Sequence, residues 1–223
     1  GHVLDIVRIQ STDMLREVMR MMMPSKLLPV LHESSFNAWK ALPIQDVKDR
    51  DREQLIADGY RSQADLLAVP CEAVMQRAGQ ECVPGIIEGV HAQPDLMGRL
   101  VQVEDTIAVH VTRAVLKPKV LKARLRGRGE EVPQRRAERY LDGFEGLWSL
   151  QSFLLSEADR CDVPIITNHD KEKAIQQVIR QVIFELSNHF KGTIDDVFGA
   201  AADTVRKEAV NDSWQEALAV LVD

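Results

Sequence analysis

Short apolar segments alternating with long helical patterns predict an α/β protein built on a parallel sheet, and three observations carry that prediction. Runs of strand length recur at residues 5–10, 85–90, 106–112 and 163–167. Stretches with the 3.6-residue period of a helix separate them. Three of the four runs are followed at once by groups able to do chemistry: Asp13, Glu88 with His91, and Asn168 with His169 and Asp170. In a parallel sheet, ligands gather at the carboxyl ends of the strands, so this coincidence marks the functional edge.

Each element has its own signal. After the first strand, Ser11-Thr12-Asp13 is a polar cluster suited to a helix start. Leu15, Val18, Met19 and Met22 then repeat at helical spacing over 14–23, with Arg16 and Arg20 one turn apart. Pro24 and Pro29 break the chain; 34–41 reads as a short helix, and 47–80 as one or two helices interrupted near Pro70. A basic segment over 117–139, read as a helical lid, joins the third strand to a strongly apolar helix running from Tyr140 through Trp148 to Ala158. Beyond the fourth strand, Asp170 and Glu172 complement a helix N-terminus. Ile175, Val178, Ile179, Val182, Ile183 and Leu186 supply that helix with one apolar face. Helical signals continue past 193, with Ser213 and Glu216 as a capping box. The organisation read is an α/β domain over 1–190 and a helical C-terminal extension over 191–223.

Composition narrows the function classes. Among 223 residues, Lys and Arg number 28 against 34 Asp and Glu, a net charge of −6. That weighs against a dedicated binder of nucleic acid or anionic membranes, which needs a positive field. No apolar run approaches the roughly 18 residues of a membrane span. Cys71, Cys82 and Cys161 lack any CxxC spacing, which indicates neither a disulfide framework nor a zinc site and suits a reducing cytoplasm. The chain opens Gly-His rather than with Met, as expected of a tag remnant or of a portion of a longer chain.

The candidate groups each have a bland alternative. Asp13 at a strand end suits proton uptake from a hydroxyl or orientation of hydrated magnesium, and Arg16 and Arg20 suit bidentate capture of an anion. A capping Asp followed by two solvated arginines is the competing reading. His32-Glu33-Ser34-Ser35 suits a polar pocket wall or an ordinary N-cap. In Glu88-Gly89-Val90-His91 the acid suits magnesium-bound water and His91 a phosphate, against a tight turn and a structural histidine. Nine basic residues crowd the 23 residues from Lys117 to Arg139, with Gly127 and Gly129 among them. They suit a flap closing over phosphates, with RNA binding or a solvated loop as alternatives. Neither G-x-x-x-x-G-K-[ST] nor G-x-G-x-x-G occurs.

Taken together, these words resemble a known family. Ile9-Gln10-Ser11-Thr12-Asp13-Met14-Leu15-Arg16-Glu17-Val18-Met19-Arg20 and Leu31-His32-Glu33-Ser34-Ser35-Phe36-Asn37-Ala38-Trp39-Lys40 resemble the 2-phosphoglycerate kinase family of P-loop kinases. Ile87-Glu88-Gly89-Val90-His91 is similar to that family's next strand motif, and 122–139 to its lid. Residues 150–155 with Val163-Pro164-Ile165-Ile166-Thr167-Asn168 are similar to its final helix and strand. The resemblance implies transfer of the γ-phosphoryl of ATP, with magnesium, to a hydroxyl of a small phosphorylated acid such as 2-phosphoglycerate. It implies Asp13 at the acceptor hydroxyl, Arg16, Arg20 and His32 at the acceptor, and Arg124, Arg126 and Arg128 as lid cations, Arg126 being catalytic. With the strand-end reading, Ser34 and His91 join the acceptor site, Glu88 goes to magnesium and Asn168 to the nucleotide. Family members carry a strand and a glycine-rich phosphate loop ahead of the Ser-Thr-Asp strand. The fold implied here is therefore a three-layer parallel sheet of P-loop kinase type with its first strand missing. A non-catalytic anion- or partner-binding module derived from such a kinase is the alternative.

Overall fold

The computed structural model describes residues 4, 6–43, 48, 50–95, 107–131 and 137–189, leaving aside the side chains of 128–131 and 137. The chain divides into two compact units, Gly1–His169 and Asp170–Asp223.

In the first unit, β1 (Arg8–Ser11) lies parallel to β2 (Gly85–Glu88), with Arg8 opposite Gly85 and Ser11 opposite Glu88. β3 (Thr112–Ala114) lies parallel to β4 (Ile165–Thr167), with Thr112 opposite Ile165. The architecture is mixed α/β with short parallel pairs, and among the described residues the pairs form two separate two-stranded sheets. The third strand is displaced from the predicted 106–112. Residues 107–111 carry no ladder, and residue 106 lies outside the described residues. Pairing starts where Thr112 N donates to the Pro164 carbonyl at 2.9 Å, because Pro164 has no N–H with which to extend the ladder backwards.

The helices of this unit are α1 (Thr12–Met22), α2 (Arg52–Gln80), α3 (Pro118–Glu131), α4 (Ala137–Asp142) and α5 (Phe144–Arg160). α2 runs unbroken through Pro70, against the predicted interruption. An interior proline costs about 3 kcal/mol, yet Leu67, Ala68 and Cys71 around it are all buried. Burial of that face outweighs the lost hydrogen bond. The helix predicted over 34–41 is instead a 3-10 turn at Ala38–Ala41, preceded by another at Pro29–His32. The long apolar helix predicted from Tyr140 divides at Gly143 into α4 and α5. Of the predicted lid, 118–131 is helical, while 132–136 lie outside the described residues.

α2 organises the core. Phe36, Ile56, Tyr60, Ala64 and Leu150 form one buried cluster, with Trp39, Val90, Leu147, Phe153 and Leu154 packed against it. Ala68 and Cys71 form a second with Leu15, Met75 and Ile87, which ties α2 to α1 and β2. α5 packs against α2 and also against β3 and β4, so one helix pair supports both strand pairs. α2 and α5 end by the same device. Cys82 and Asp162 adopt φ of 51° and 53°, and the next N–H reaches back to Ala78 O (3.1 Å) and Ala158 O (2.8 Å). This is the Schellman closure, which turns each helix directly into a strand.

In the second unit, Asp170 caps α6 (Lys171–His189), its Oδ1 accepting from Lys173 N at 2.9 Å. The predicted extension over 191–223 lies outside the described residues. No described helix is long and apolar enough to cross a membrane.

Candidate functional site

β1 ends at Ser11 and α1 begins at Thr12, so the chain turns from strand to helix directly beneath Asp13. Thr12 is fully buried, whereas the Asp13 side chain is 63% exposed. One turn on, Arg16 is drawn inward, its side chain only 17% exposed. Its Nη1 donates to the Glu33 carbonyl at 3.0 Å, and its Nη2 stands 3.8 Å from Asp13 and 3.9 Å from Glu17. Arg20 instead pairs with Glu17 at 2.6 Å on the exposed side of the helix.

The Arg16 bond brings the His32-Glu33-Ser34-Ser35 tetrad to this strand end. His32 Nε2 donates to the Met23 carbonyl at 3.0 Å, which locks the tetrad to the end of α1. Ser34 and Ser35 do not cap a helix. Ser35 Oγ lies 3.2 Å from His91 Nε2, and Ser34 Oγ is buried without a hydrogen-bond partner. Arg16 Nε is likewise buried and unpartnered. Two donors taken from water and left unpaired are costly unless something external pairs with them.

His91 arrives from the turn after β2. Gly89 makes that turn possible, with φ of +133°. A Cβ there would stand 2.0 Å from Thr12 Oγ1, so the backbone approach of the two strand ends also requires glycine. His91 is 1% exposed and touches Thr12 (Nδ1 to Oγ1, 3.4 Å), Ser35 and Gln63 (Nε2 to Oε1, 2.7 Å). Burial first, and then the Arg16 charge, push its pKa down to about 4, with Asp13 opposing. At neutral pH the ring is therefore uncharged, and its 3.9 Å approach to Asp13 is not an ion pair.

That state has a consequence for stability. An unfolded histidine titrates near 6.5, so between pH 6.5 and 4 the unfolded chain binds a proton that the folded chain refuses. Stability is full above pH 6.5 and falls as the pH drops. Linkage sets the loss from this group at about 2 kcal/mol between pH 7 and 5. Urea unfolding at both pH values should show that slope in the parent and lose it in His91→Gln; equal slopes would place His91 in water.

Glu88 is exposed at the end of β2, opposite the last residue of β1. The three arginines expected as lid cations lie apart from this group, on α3. Arg124 Nη2 donates to the His169 carbonyl at 2.7 Å, Arg126 is exposed, and Arg128 stands in the same helix, α3. Asn168 is anchored there by its N–H on the Ala114 carbonyl at 2.7 Å. The structure thus gathers Asp13, Arg16, Ser34 and His91 at β1–β2, and Arg124 and Asn168 at β3–β4. The residue that sequence reading missed is Gln63, fully buried between His91 and the tetrad. Its signal was present, since it lies on the apolar stripe Ile56, Tyr60, Gln63, Leu67 of α2.

A largely buried arginine, a buried hydroxyl without a partner and an exposed carboxylate thus stand near the adjacent ends of two parallel strands in an α/β protein. Curated relatives make that class specific. The chain is 31% identical over 83% of its length to a 2-phosphoglycerate kinase of Methanopyrus kandleri, covering 55% of that protein. It is 29% identical over 87% of its length to one of Methanococcus maripaludis, covering 62% of it, and 32% identical over 80% to one of Methanothermobacter thermautotrophicus, covering 58%. Over four fifths of its length the chain resembles the 2-phosphoglycerate kinase family. It spans 55% to 62% of the length of the first two of these relatives. No protein-family model and no solved structure matches it.

Proposed function

We propose that this chain carries the acceptor side of an ATP-dependent 2-phosphoglycerate kinase acting in the reducing cytoplasm. Asp13 takes up the acceptor hydroxyl, and Arg16, Arg20, His32 and Ser34 hold the phosphate and carboxylate, with His91 behind them. The observation that carries this reading is the pair of buried unpartnered donors, Arg16 Nε and Ser34 Oγ, on segments joined by the Arg16–Glu33 hydrogen bond. Oxygens of a phosphorylated acid would satisfy both. Arg124, Arg126 and Arg128 are the lid cations, Arg126 neutralising charge during transfer, and Asn168 faces the nucleotide.

The donor set fits magnesium in one mode. Among the described residues no group of three or more potential ligands exists. Magnesium, however, needs only one or two protein carboxylates when phosphates complete its shell, and exposed Glu88 and Asp13 stand at neighbouring strand ends. When bound there, it would supply neutralisation of phosphate charge. The 223 residues do not fit ATP in the same way, because they include no G-x-x-x-x-G-K-[ST] phosphate cradle. The second reading is a non-catalytic anion- or partner-binding module derived from a P-loop kinase, which would use the same buried donors without transfer.

Calorimetric titration with 2-phosphoglycerate tests the acceptor reading: heat is expected, and its absence overturns the proposal. Heat with ATP–magnesium on the same chain would sink the module reading.

The sheet follows the same logic. We place one further parallel strand between β2 and β3, completing a three-layer sheet of P-loop kinase type. Two separate parallel pairs sharing one α2–α5 support are what favour it. Fusing ahead of Gly1 the upstream segment of the Methanopyrus kandleri relative should slow amide exchange at Arg113 and at whichever of Ile86 and Ile87 has its N–H turned away from β1. Unchanged rates would remove the strand.

A further inference from the structure

Gln63 lies beneath the candidate site, and no part of the proposed transfer uses it directly. Its Nε2 donates to the Val30 carbonyl at 2.6 Å and the Glu33 carbonyl at 3.0 Å. Carbonyl oxygens only accept, so the amide group cannot be reversed. Its Oε1 must then be the atom 2.7 Å from His91 Nε2. An amide oxygen also only accepts, so that ring nitrogen carries the proton, with Ser35 Oγ as a second neighbour at 3.2 Å. In a neutral ring this leaves Nδ1 with a lone pair. Thr12 Oγ1, 3.4 Å away, is therefore the donor toward Nδ1, and Asp13 Oδ1, at 3.9 Å, faces a lone pair and not a proton. Tyr60 fixes the ring plane, stacked at 6.2 Å between centroids and 10° between planes, with its own hydroxyl donating to the Val90 carbonyl at 2.8 Å. The charged and titratable groups facing the ring are Asp13 and Arg16 from α1 and Tyr60 from α2.

We propose that Gln63 is a positioning residue that imposes the Nε2–H tautomer on His91, and so fastens Thr12 at the head of α1 while keeping any His91 proton away from the Asp13 carboxylate. The Nε2 proton follows from the hydrogen bonds alone. Its value for function rests on the reading above, in which Asp13 must stay a free carboxylate to take up the acceptor hydroxyl. With the other tautomer, or with a protonated ring, Nδ1–H would donate to Asp13 and make it a weaker proton acceptor.

Long-range proton–nitrogen correlation spectra of histidine-labelled full chain test this. In the parent, the proton of the neutral His91 ring should be found on Nε2. Gln63→Glu places a carboxylate on Nε2, and the His91 titration midpoint should rise by about 1–3 units. A parent spectrum showing Nδ1–H overturns the proposal without any variant needing to fold. A Gln63→Glu ring whose midpoint does not move overturns it as well. Titration of the same samples with 2-phosphoglycerate separates the two claims: a parent that binds none removes the acceptor reading and leaves the tautomer assignment standing.

Discussion

Gly59→Ala will destabilise the first unit by roughly 2–3 kcal/mol. Helix propensity alone predicts the opposite, since alanine in a helix interior is better than glycine by about 1 kcal/mol. The reversal comes from a contact. A Cβ on Gly59 would lie 2.1 Å from Trp39 N, 2.4 Å from Trp39 Cα and 2.7 Å from Ala38 C. These are backbone atoms of the Ala38–Ala41 turn, and they cannot rotate aside as a side-chain tip would. The turn must lift from α2, taking Trp39 and Phe36 away from Ile56 and Tyr60 in the main core cluster. Overpacking costs about 1–3 kcal/mol, more where the backbone must move. Urea unfolding followed by tryptophan fluorescence should show a lower midpoint with an unchanged slope. A midpoint equal to the parent's would mean that the turn is not seated on the helix.

Arg16→Ala should weaken 2-phosphoglycerate binding about 10- to 150-fold, the equivalent of about 1.5–3 kcal/mol for a charge-assisted hydrogen bond. The stability cost should be far smaller. The ion pairs of Arg16 with Asp13 and Glu17 are long, at 3.8 and 3.9 Å, and partly solvated, so they contribute little. Its hydrogen bond to the Glu33 carbonyl is shared with Gln63, so that carbonyl stays satisfied without it. Binding and folding therefore separate in this variant. Arg16→Lys should fall between the two, since it keeps the charge and loses the planar fork. Titration calorimetry and urea unfolding on one preparation decide it. Unchanged affinity in Arg16→Ala would return Arg16 to an ordinary partly buried surface charge.

Periodicity located α1, and yet it misjudged what the helix covers. Of the predicted face, Leu15 packs on Ala68 and Cys71, whereas Val18 and Met22 are exposed, as are Met14 and Met21. A repeat of apolar residues states that a helix has one face; which neighbour lies against it depends on segments far along the chain. Pro70 teaches the same lesson with the opposite sign, because buried residues on either side hold a helix that local rules would break. The closures at Cys82 and Asp162 were not legible either. Both use positive φ without glycine, and Cys82 is not a turn-forming residue type, so the strongest local signal for such a closure is missing.

By itself the sequence determined the α/β class, the order of its elements, and the arrival of Asp13, Glu88 and Asn168 at strand ends. All of these depend on residues within a few positions of one another. The tertiary structure alone decided that the strands form two pairs, that Arg16 reaches Glu33, and that His91 is buried, uncharged and oriented by Gln63. Each of these requires a partner many residues away, as with Gln63 and His91, 28 positions apart. Loss of water and the direction of a proton are fixed by what surrounds a side chain, and a linear pattern of residue types does not record that surrounding.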